Sequence, residues 1–271
     1  MTAGFTLTVA EAAIAITTVD SWALSLQERY AGFVSQAPAR WQLTVQHVSD
    51  VTSCLPGEIV HDGPRTRFHV GTFRGQIDLD GRTAAVTATS EAGAASALER
   101  AAAYILMQTL PREHVGLLLH ATGVIRNGLG YVFFGKSGAG KTTLAHLTPP
   151  DADLVCDENV ALRVAGSGVQ LHSTPFWGHS TPPDLIRRHN ASAPLAGLFS
   201  LAHGPEFRLD VISPAEAVAE LLDTEKVATE RVDSALAWLA AAEQIVARVP
   251  VRRLTFRPDP AVWDFLASQG T

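Results

Sequence analysis

The sequence GKSGAGKT at residues 135–142 matches the phosphate-binding loop pattern G-x-x-x-x-G-K-[ST] at every fixed position. The run YVFF at residues 131–134 precedes it and is apolar and aromatic, which predicts a buried strand. Residues 142–147 (TTLAHL) follow and can open a helix. A strand, a glycine-rich loop and a helix in this order favour phosphate binding over a chance match to a glycine-rich turn. We therefore expect the chain to bind ATP or GTP.

Each residue type in this loop has a physical task. Glycines let backbone N–H groups turn toward phosphate oxygens, and the helix N-terminus adds partial positive charge. We expect Lys141 to contact the β- and γ-phosphates and the Thr142 hydroxyl to ligate Mg²⁺. The predicted nucleotide-binding residues are Gly135, Ser137, Gly138, Ala139, Gly140, Lys141, Thr142 and Thr143.

An acidic pair follows the loop. Residues 153–158 (DLVCDE) predict an apolar strand that ends in Asp157 and Glu158, with Asp157 16 residues after Lys141. A nucleotide site needs such carboxylates because one can hold Mg²⁺ while the other accepts the proton of an attacking hydroxyl. The alternative is a solvated strand end. After a phosphate loop we favour the functional interpretation, with Thr142, Glu158 and Asp157 as metal ligands.

A histidine is predicted to lie beside the loop. Residues 116–126 (GLLLHATGVIR) predict one strand, and Asn127-Gly128 is a strong two-residue hairpin signal. The loop strand is then the second arm of an antiparallel hairpin, and His120 lies opposite Gly135. Because histidine is a common proton carrier, we consider His120 a catalytic candidate, with a satisfied core histidine as the alternative. The catalytic candidates are thus Asp157, His120 and Lys141.

Later segments are expected to complete this part of the chain. Residues 159–173 predict a strand, a turn and a returning strand. The return carries residues 173–179 (STPFWGH) back toward the acidic pair, where they can form a wall of a substrate cleft. Trp177 is expected to be a core residue. Residues 195–201 and 206–212 are expected to pair as a hairpin.

The N-terminal part carries no chemical motif. Residues 91–110 predict a long alanine-rich helix that Pro111 stops, because proline lacks the N–H that a helix needs. We therefore expect a small α+β domain at residues 1–111 and a nucleotide-binding domain at residues 112–271. The expected fold class is α/β with a mixed, α+β-type sheet.

Composition limits the function further. Apolar residues make up 46% of the 271 residues. The 21 Lys and Arg residues against 27 Asp and Glu residues give a net charge of −6. This negative charge argues against nucleic acid as the main partner. Cys54 and Cys156 form no metal-ligand spacing. The start lacks a basic leader, and no window reaches the length of apolar sequence that a membrane span needs. A cytoplasmic protein without a membrane partner is expected.

The core sequence resembles a known family. Residues 117–147 (LLLHATGVIRNGLGYVFFGKSGAGKTTLAHL) and 151–162 (DADLVCDENVAL) resemble the catalytic core of the HPr kinase/phosphorylase family. They are closer still to small HPr-kinase-like proteins of bacterial biosynthetic gene clusters. These proteins share a core with ATP-dependent phosphoenolpyruvate carboxykinases. The resemblance covers residues 115–215 well and the remainder loosely.

This resemblance implies an HPr kinase/PEP carboxykinase-like P-loop core and a serine-type kinase that uses Mg²⁺ with ATP or GTP. It implies that Asp157 is the base, that His120 neighbours this base, and that Glu158 replaces the usual second aspartate as metal ligand. Lys141 and Thr142 match the phosphate and Mg²⁺ positions. The resemblance also implies a homo-oligomer.

The acceptor stays open at this point. The glycine-rich signature that follows the core in HPr kinases is not found, so the acceptor is expected to be a serine of another peptide or small protein. A small-molecule hydroxyl is a close variant of the same chemistry. A nucleotide-binding regulatory or assembly module with little phosphotransfer is the alternative from another class. A carboxykinase is disfavoured because the chain is short for that chemistry.

Overall fold

Two compact units make up the chain. A computed structural model describes residues 2–51, 59–71, 73–178, 181–224 and 232–269. Residue contacts divide the chain into Met1–Leu106 and Met107–Thr271. The division falls inside a long helix rather than at residue 111, where we expected it. Each unit is built on its own mixed sheet with helices, in agreement with the expected mixed α/β class.

The first unit contains an eight-stranded sheet. Its elements are β1 (Thr2–Val9), β2 (Ala12–Val19), α1 (Asp20–Arg29), β3 (Val34–Ser35), β4 (Trp41–His47), β5 (Ile59–Asp62), β6 (Arg65–Val70), β7 (Phe73–Asp78) and β8 (Thr83–Ala88). The strand order is β3-β1-β2-β4-β8-β7-β6-β5, in which β2, β4 and β8 are parallel and the other neighbours are antiparallel. Alternation explains these strands: Trp41, Leu43 and Val45 of β4 are buried, with polar residues between them.

The long helix α2 (Glu91–Arg112) begins at the expected residue and ends later than expected. Ser90 caps its start, because the Ser90 hydroxyl accepts a hydrogen bond from the N–H of Gly93 at 3.1 Å. Pro111 lies inside the last turn instead of stopping the helix. The helix ends at Arg112. His114 follows with a left-handed φ of 56°, and the N–H of Val115 closes the end on the carbonyl of Leu110 at 3.0 Å.

None of the helices that the structure describes, α2 included, is long and apolar enough to span a membrane.

The second unit holds a nine-stranded sheet. Its elements are β9 (Gly116–Leu119), β10 (Ala121–Arg126), β11 (Leu129–Phe134), α3 (Lys141–His146), β12 (Ala152–Cys156), β13 (Val160–Ala165), β14 (Gly168–His172), a 3₁₀ turn (Pro183–Leu185), β15 (Ser192–His203), β16 (Arg208–Val211), α4 (Pro214–Leu222), α5 (Val232–Val246), β17 (Val251–Phe256) and α6 (Val262–Ser268). The order is β12-β10-β11-β15-β14-β13-β9, and β17 pairs with both β15 and β16.

The predicted hairpin before the phosphate loop is confirmed in type and register. Strands β10 and β11 are antiparallel from Arg126↔Leu129 to Ala121↔Phe134. Asn127 and Gly128 have φ values of 53° and 77°, the positive values that a type I′ turn requires. On its other side β11 is parallel to β15. The loop strand therefore has one antiparallel and one parallel neighbour.

Both faces of β11 are covered, which anchors the start of the loop. Phe134 belongs to an apolar cluster with Leu119 and Trp238, whereas Phe133 belongs to a second cluster with Trp263. Successive residues of a strand point to opposite faces, so the aromatic run fills two cores at once. This burial explains why the segment is apolar without alternation.

The expectation of one continuous strand over residues 116–126 is wrong. The strand breaks at His120: β9 pairs with β13, whereas β10 pairs with β11 and β12. The N–H of Ala121 instead donates to the carbonyl of Glu158 at 3.1 Å. An apolar run does not indicate that the pairing partner changes within it. Because of this change, His120 lies between β9 and β10, which pair with different strands.

The expected hairpin of residues 195–201 with 206–212 is also wrong. Strand β17 lies between β15 and β16, parallel to β15 and antiparallel to β16. The central part of β15, Leu198 to Leu201, is buried throughout, as is typical of a strand inside a sheet rather than at its edge. A strand from the C-terminal part of the chain therefore completes this side of the sheet.

Candidate active site

The phosphate loop leaves the C-terminal end of β11 and closes onto α3 through glycines. Gly140 stands before the helix with a φ of 105°, and Gly138 at the loop tip has a φ of 82°. Residues other than glycine rarely adopt such positive φ values. A Cβ on Gly140 would also lie 2.7 Å from the Phe256 ring, whereas one on Gly138 would meet nothing within 4 Å. The loop thus packs tightly at its base and is open at its tip.

Lys141 is buried under this loop, with 8% of its surface exposed. Its Nζ donates hydrogen bonds to the carbonyl oxygens of Gly135 at 2.7 Å and Lys136 at 3.4 Å. Its own carbonyl accepts a hydrogen bond from the buried Thr122 hydroxyl at 3.2 Å. The ammonium group is therefore fixed inside the curve of the loop, where a phosphate ligand would need a cation.

The remaining predicted loop residues differ in exposure. Ser137 and Thr142 are exposed, whereas Ala139 and Thr143 are half-buried. The N–H of Ala139 donates to the carbonyl of Lys136 at 3.0 Å, which closes a tight turn in the loop. The Thr142 hydroxyl thus stands on the solvent side of the first helical turn, where a metal ligand must be accessible.

His203 contacts the loop and was not predicted from the sequence. Its Nε2 lies 2.6 Å from the carbonyl oxygen of Gly138, so Nε2 carries the donating proton. Its ring stacks on Phe256, with ring centroids 6.1 Å apart. His203 ends β15, next to the loop strand β11. The signal that could have found it is the parallel pairing of these strands, which the local sequence does not indicate.

Asp157 is the buried member of the acidic pair, with 5% of its surface exposed. Its Oδ1 accepts a hydrogen bond from the N–H of Gly178 at 3.2 Å, and its Oδ2 accepts one from the Thr181 hydroxyl at 2.6 Å. Two donors offset the cost of burying a carboxylate and fix its orientation. Neither Gly178 nor Thr181 was singled out from the sequence.

The segment after β14 returns to the acidic pair, as the sequence predicted. Strands β13 and β14 pair from Ala161↔His172 to Ala165↔Gly168, and the chain then passes Asp157 at Gly178. Trp177 is buried in an apolar cluster, in agreement with the core interpretation. His179, the last residue of the expected wall, lies outside the described residues, as does Cys54.

Cys156, the last residue of β12, is hydrogen-bonded to the segment that returns past Asp157. Its buried Sγ donates a hydrogen bond to the carbonyl of Phe176 at 3.1 Å. Burial raises the pKa of the Cys156 thiol to about 11, so the sulfur keeps the proton that it donates.

His120 lies among the charged groups of the site. Its Nδ1 is 3.4 Å from Oε1 of Glu158, and both side chains are partly exposed. Burial lowers the pKa of His120, and the charge of Lys141 lowers it further, while the charges of Glu158 and Asp157 act in the opposite direction. His120 is therefore neutral near pH 7. Of these charged groups, Glu158 is in direct contact with His120.

The oxygen donors of the site have the chemistry that Mg²⁺ prefers. Within the described ranges, no group of three or more His, Cys, Asp and Glu side chains could hold a metal by itself. Mg²⁺ usually takes one or two carboxylates together with water and phosphate oxygens, so a protein-only cage is not needed. A hydroxyl at Thr142 and carboxylates at Asp157 and Glu158 fit such a partial donor set.

Comparisons with known proteins find similarity among solved structures. No protein-family model matches the sequence, and no curated protein matches it. Among solved structures, the chain is similar to the Hpr(Ser) kinase/phosphatase from Coxiella burnetii, with 13% sequence identity and a TM-score of 0.33. The match covers 56% of this chain and 95% of that chain. At this distance the likeness assigns neither a family nor an activity to the chain.

Proposed function

We propose that this chain is a Mg²⁺-dependent kinase with an HPr-kinase-like P-loop core. It transfers the γ-phosphoryl group of a nucleoside triphosphate to a hydroxyl, namely a serine of a peptide or small protein. The observation that carries the proposal is the Asp157 carboxylate. It is buried and fixed by two donors, and its neighbour Glu158 is joined to Lys141 of the phosphate loop through the hydrogen bonds of Ala121 and Thr122 in β10. A carboxylate oriented in this way can accept the proton of an attacking hydroxyl.

The loop binds the phosphates of ATP or GTP in this proposal. Backbone N–H groups of the glycine-rich turn and the start of α3 face the phosphate oxygens. Lys141 supplies a fixed positive charge to the β- and γ-phosphates. Thr142, Glu158 and Asp157 would hold Mg²⁺. When bound, this ion neutralises charge on the transferred group.

Asp157 acts as the general base. The acceptor oxygen forms a bond to the γ-phosphorus, the bond between that phosphorus and the bridging oxygen breaks, and the nucleoside diphosphate leaves. The Asp157 carboxylate takes the proton of the acceptor hydroxyl. Neutral His120 orients Glu158 through their 3.4 Å contact without adding a second cation beside Lys141.

The exposed side of the cluster supports a large acceptor. His120 has 36% and Glu158 has 42% of its side-chain surface exposed, whereas Asp157 is 5% exposed. A hydroxyl on a flexible peptide can reach the base from this open side. A small-molecule hydroxyl could reach it too, so the assay below must include both kinds of acceptor.

A transfer assay tests this function. The full chain is mixed with Mg²⁺ and γ-labelled ATP, then GTP, with serine-containing peptides encoded by neighbouring genes and with small hydroxyl metabolites. We expect label on one acceptor, lost in both Asp157→Asn and Lys141→Ala. Nucleotide binding without transfer, and in vivo function that survives Asp157→Asn but not Lys141→Ala, would instead indicate a regulatory or assembly module.

A further inference from the structure

The hydroxyl of Thr181 already occupies the position of an acceptor. It donates to Oδ2 of Asp157 at 2.6 Å, and Thr181 is 7% exposed. Within the described part of the chain, the other donor to this carboxylate is the backbone N–H of Gly178, which cannot accept a phosphoryl group. Thr181 is thus the hydroxyl of this chain that stands at the proposed base.

Backbone hydrogen bonds hold this hydroxyl in place. The N–H of Thr181 donates to the carbonyl of Gly178 at 3.1 Å, and the N–H of Gly178 donates to Oδ1 of Asp157 at 3.2 Å. A Cβ on Gly178 would lie 3.2 Å from Oγ1 of Thr181 and 3.1 Å from Oε2 of Glu158. Glycine at this position therefore allows the hydroxyl and both carboxylates to approach one another closely.

Chemistry at this position favours transfer to Thr181 itself. A hydroxyl that donates to a base is activated as a nucleophile, because the base removes its proton as the new bond forms. Burial excludes water, which would otherwise compete as acceptor. Strand β10 connects the phosphate loop to the base: the Thr122 hydroxyl donates to the carbonyl of Lys141 at 3.2 Å, and the N–H of Ala121 donates to the carbonyl of Glu158, next to Asp157, at 3.1 Å.

We propose that Thr181 is a self-phosphorylation site, an inference that rests on the kinase function proposed above. Oγ1 of Thr181 forms a bond to the γ-phosphorus of a bound nucleoside triphosphate. The bond between this phosphorus and the bridging oxygen breaks, the nucleoside diphosphate leaves, and the Thr181 proton goes to Asp157. The product is phosphothreonine, with at most one phosphate per chain at this position.

The test uses the full chain with Mg²⁺ and γ-labelled ATP and no added acceptor. Label is quantified per chain, and its position is determined by mass spectrometry of peptides. We expect the label on Thr181 at a rate per chain that is independent of protein concentration, because donor and acceptor belong to one molecule. Asp157→Asn should lose the label. Thr181→Ser should keep it, and Thr181→Val, which keeps the shape, should lose it while ATP affinity measured by calorimetry stays unchanged.

Other outcomes separate this inference from the proposed function. Phosphate transfer to an external acceptor with no label on Thr181 would overturn self-phosphorylation and leave the kinase function standing. In that case the Thr181 hydroxyl only positions Asp157. A labelling rate that increases with protein concentration would overturn transfer within one chain. Failure of the wild-type chain to bind ATP would overturn both proposals.

Discussion

The imidazole of His203 bridges the end of β15 to the tip of the phosphate loop, with Nε2 2.6 Å from the carbonyl oxygen of Gly138. The tip is otherwise open, since a Cβ on Gly138 would meet nothing within 4 Å. Stacking on Phe256 keeps the imidazole in this orientation. A residue from a distant part of the sequence therefore restrains the part of the loop that must face phosphate.

Removing this restraint should weaken nucleotide binding. We expect His203→Ala to lower ATP affinity by about two- to tenfold, because one net hydrogen bond is worth about 0.5–1.5 kcal/mol. Titration calorimetry measures the change. His203→Gln, which keeps an N–H donor, should recover part of the affinity. Equal affinities of wild type and His203→Ala would show that the contact does not shape the loop.

Gly140 should tolerate substitution less well than a glycine in an open turn. Gly140→Ala adds a Cβ 2.7 Å from the Phe256 ring to the strain of a positive φ, and overpacking of this kind costs about 1–3 kcal/mol. Gly166→Ala is the matched control, because Gly166 has a φ of 58° with open space around it. Denaturant unfolding should show the larger loss for Gly140→Ala, and this variant alone should lose ATP binding. Equal losses of stability would argue against the packing at the loop base.

His120 should make the folded state sensitive to acid. Burial lowers the pKa of His120, whereas the unfolded imidazole titrates near 6.5. Unfolding therefore takes up protons as the pH falls below 6.5, so stability decreases until the pH passes the pKa of the folded state. Denaturant unfolding between pH 7 and about pH 5 should show a smaller decrease in the free energy of unfolding for His120→Gln than for the wild type. An equal decrease in both proteins would contradict the lowered pKa of His120.

Cys156 should resist alkylation as long as its contact with Phe176 in the segment beside Asp157 is intact. Burial raises the pKa of its thiol to about 11, and the thiolate is the form that reacts. In Cys54→Ser, Cys156 is the one remaining thiol. Mass spectrometry after iodoacetamide treatment at mildly alkaline pH should detect no modification of the folded chain and full modification in denaturant. Rapid alkylation of the folded chain would mean that this contact opens.

Local signals were sufficient for the loop and its hairpin. The phosphate loop is a contiguous motif, and Asn127-Gly128 determines the register of its hairpin because only a few residue types adopt two successive positive φ values. The start of α4 is equally local: the Ser213 hydroxyl accepts a hydrogen bond from the N–H of Glu216 at 3.2 Å. Each of these features depends on residues close together in sequence.

Features that depend on distant pairing could not be predicted. The parallel contact of β15 with β17 joins residues about fifty positions apart, and nothing in either segment specifies the partner. For the same kind of reason, the contact of His203 with the phosphate loop could not be predicted. Thr181 was missed because its role depends on how the chain passes Asp157 after β14. The sequence thus indicated which residues carry the chemistry but not which residues hold them in position.

The central claim is that Asp157 is the base of a phosphoryl transfer. Its most direct test compares Asp157→Asn with Asp151→Asn, a matched change at an aspartate that is 56% exposed and pairs with Arg126. Transfer from γ-labelled ATP to the acceptor of the wild-type chain and ATP affinity are measured for both. We predict that Asp157→Asn loses transfer by about 10²- to 10⁴-fold while it still binds ATP, and that Asp151→Asn keeps both. Transfer by Asp157→Asn at the wild-type rate would contradict the account.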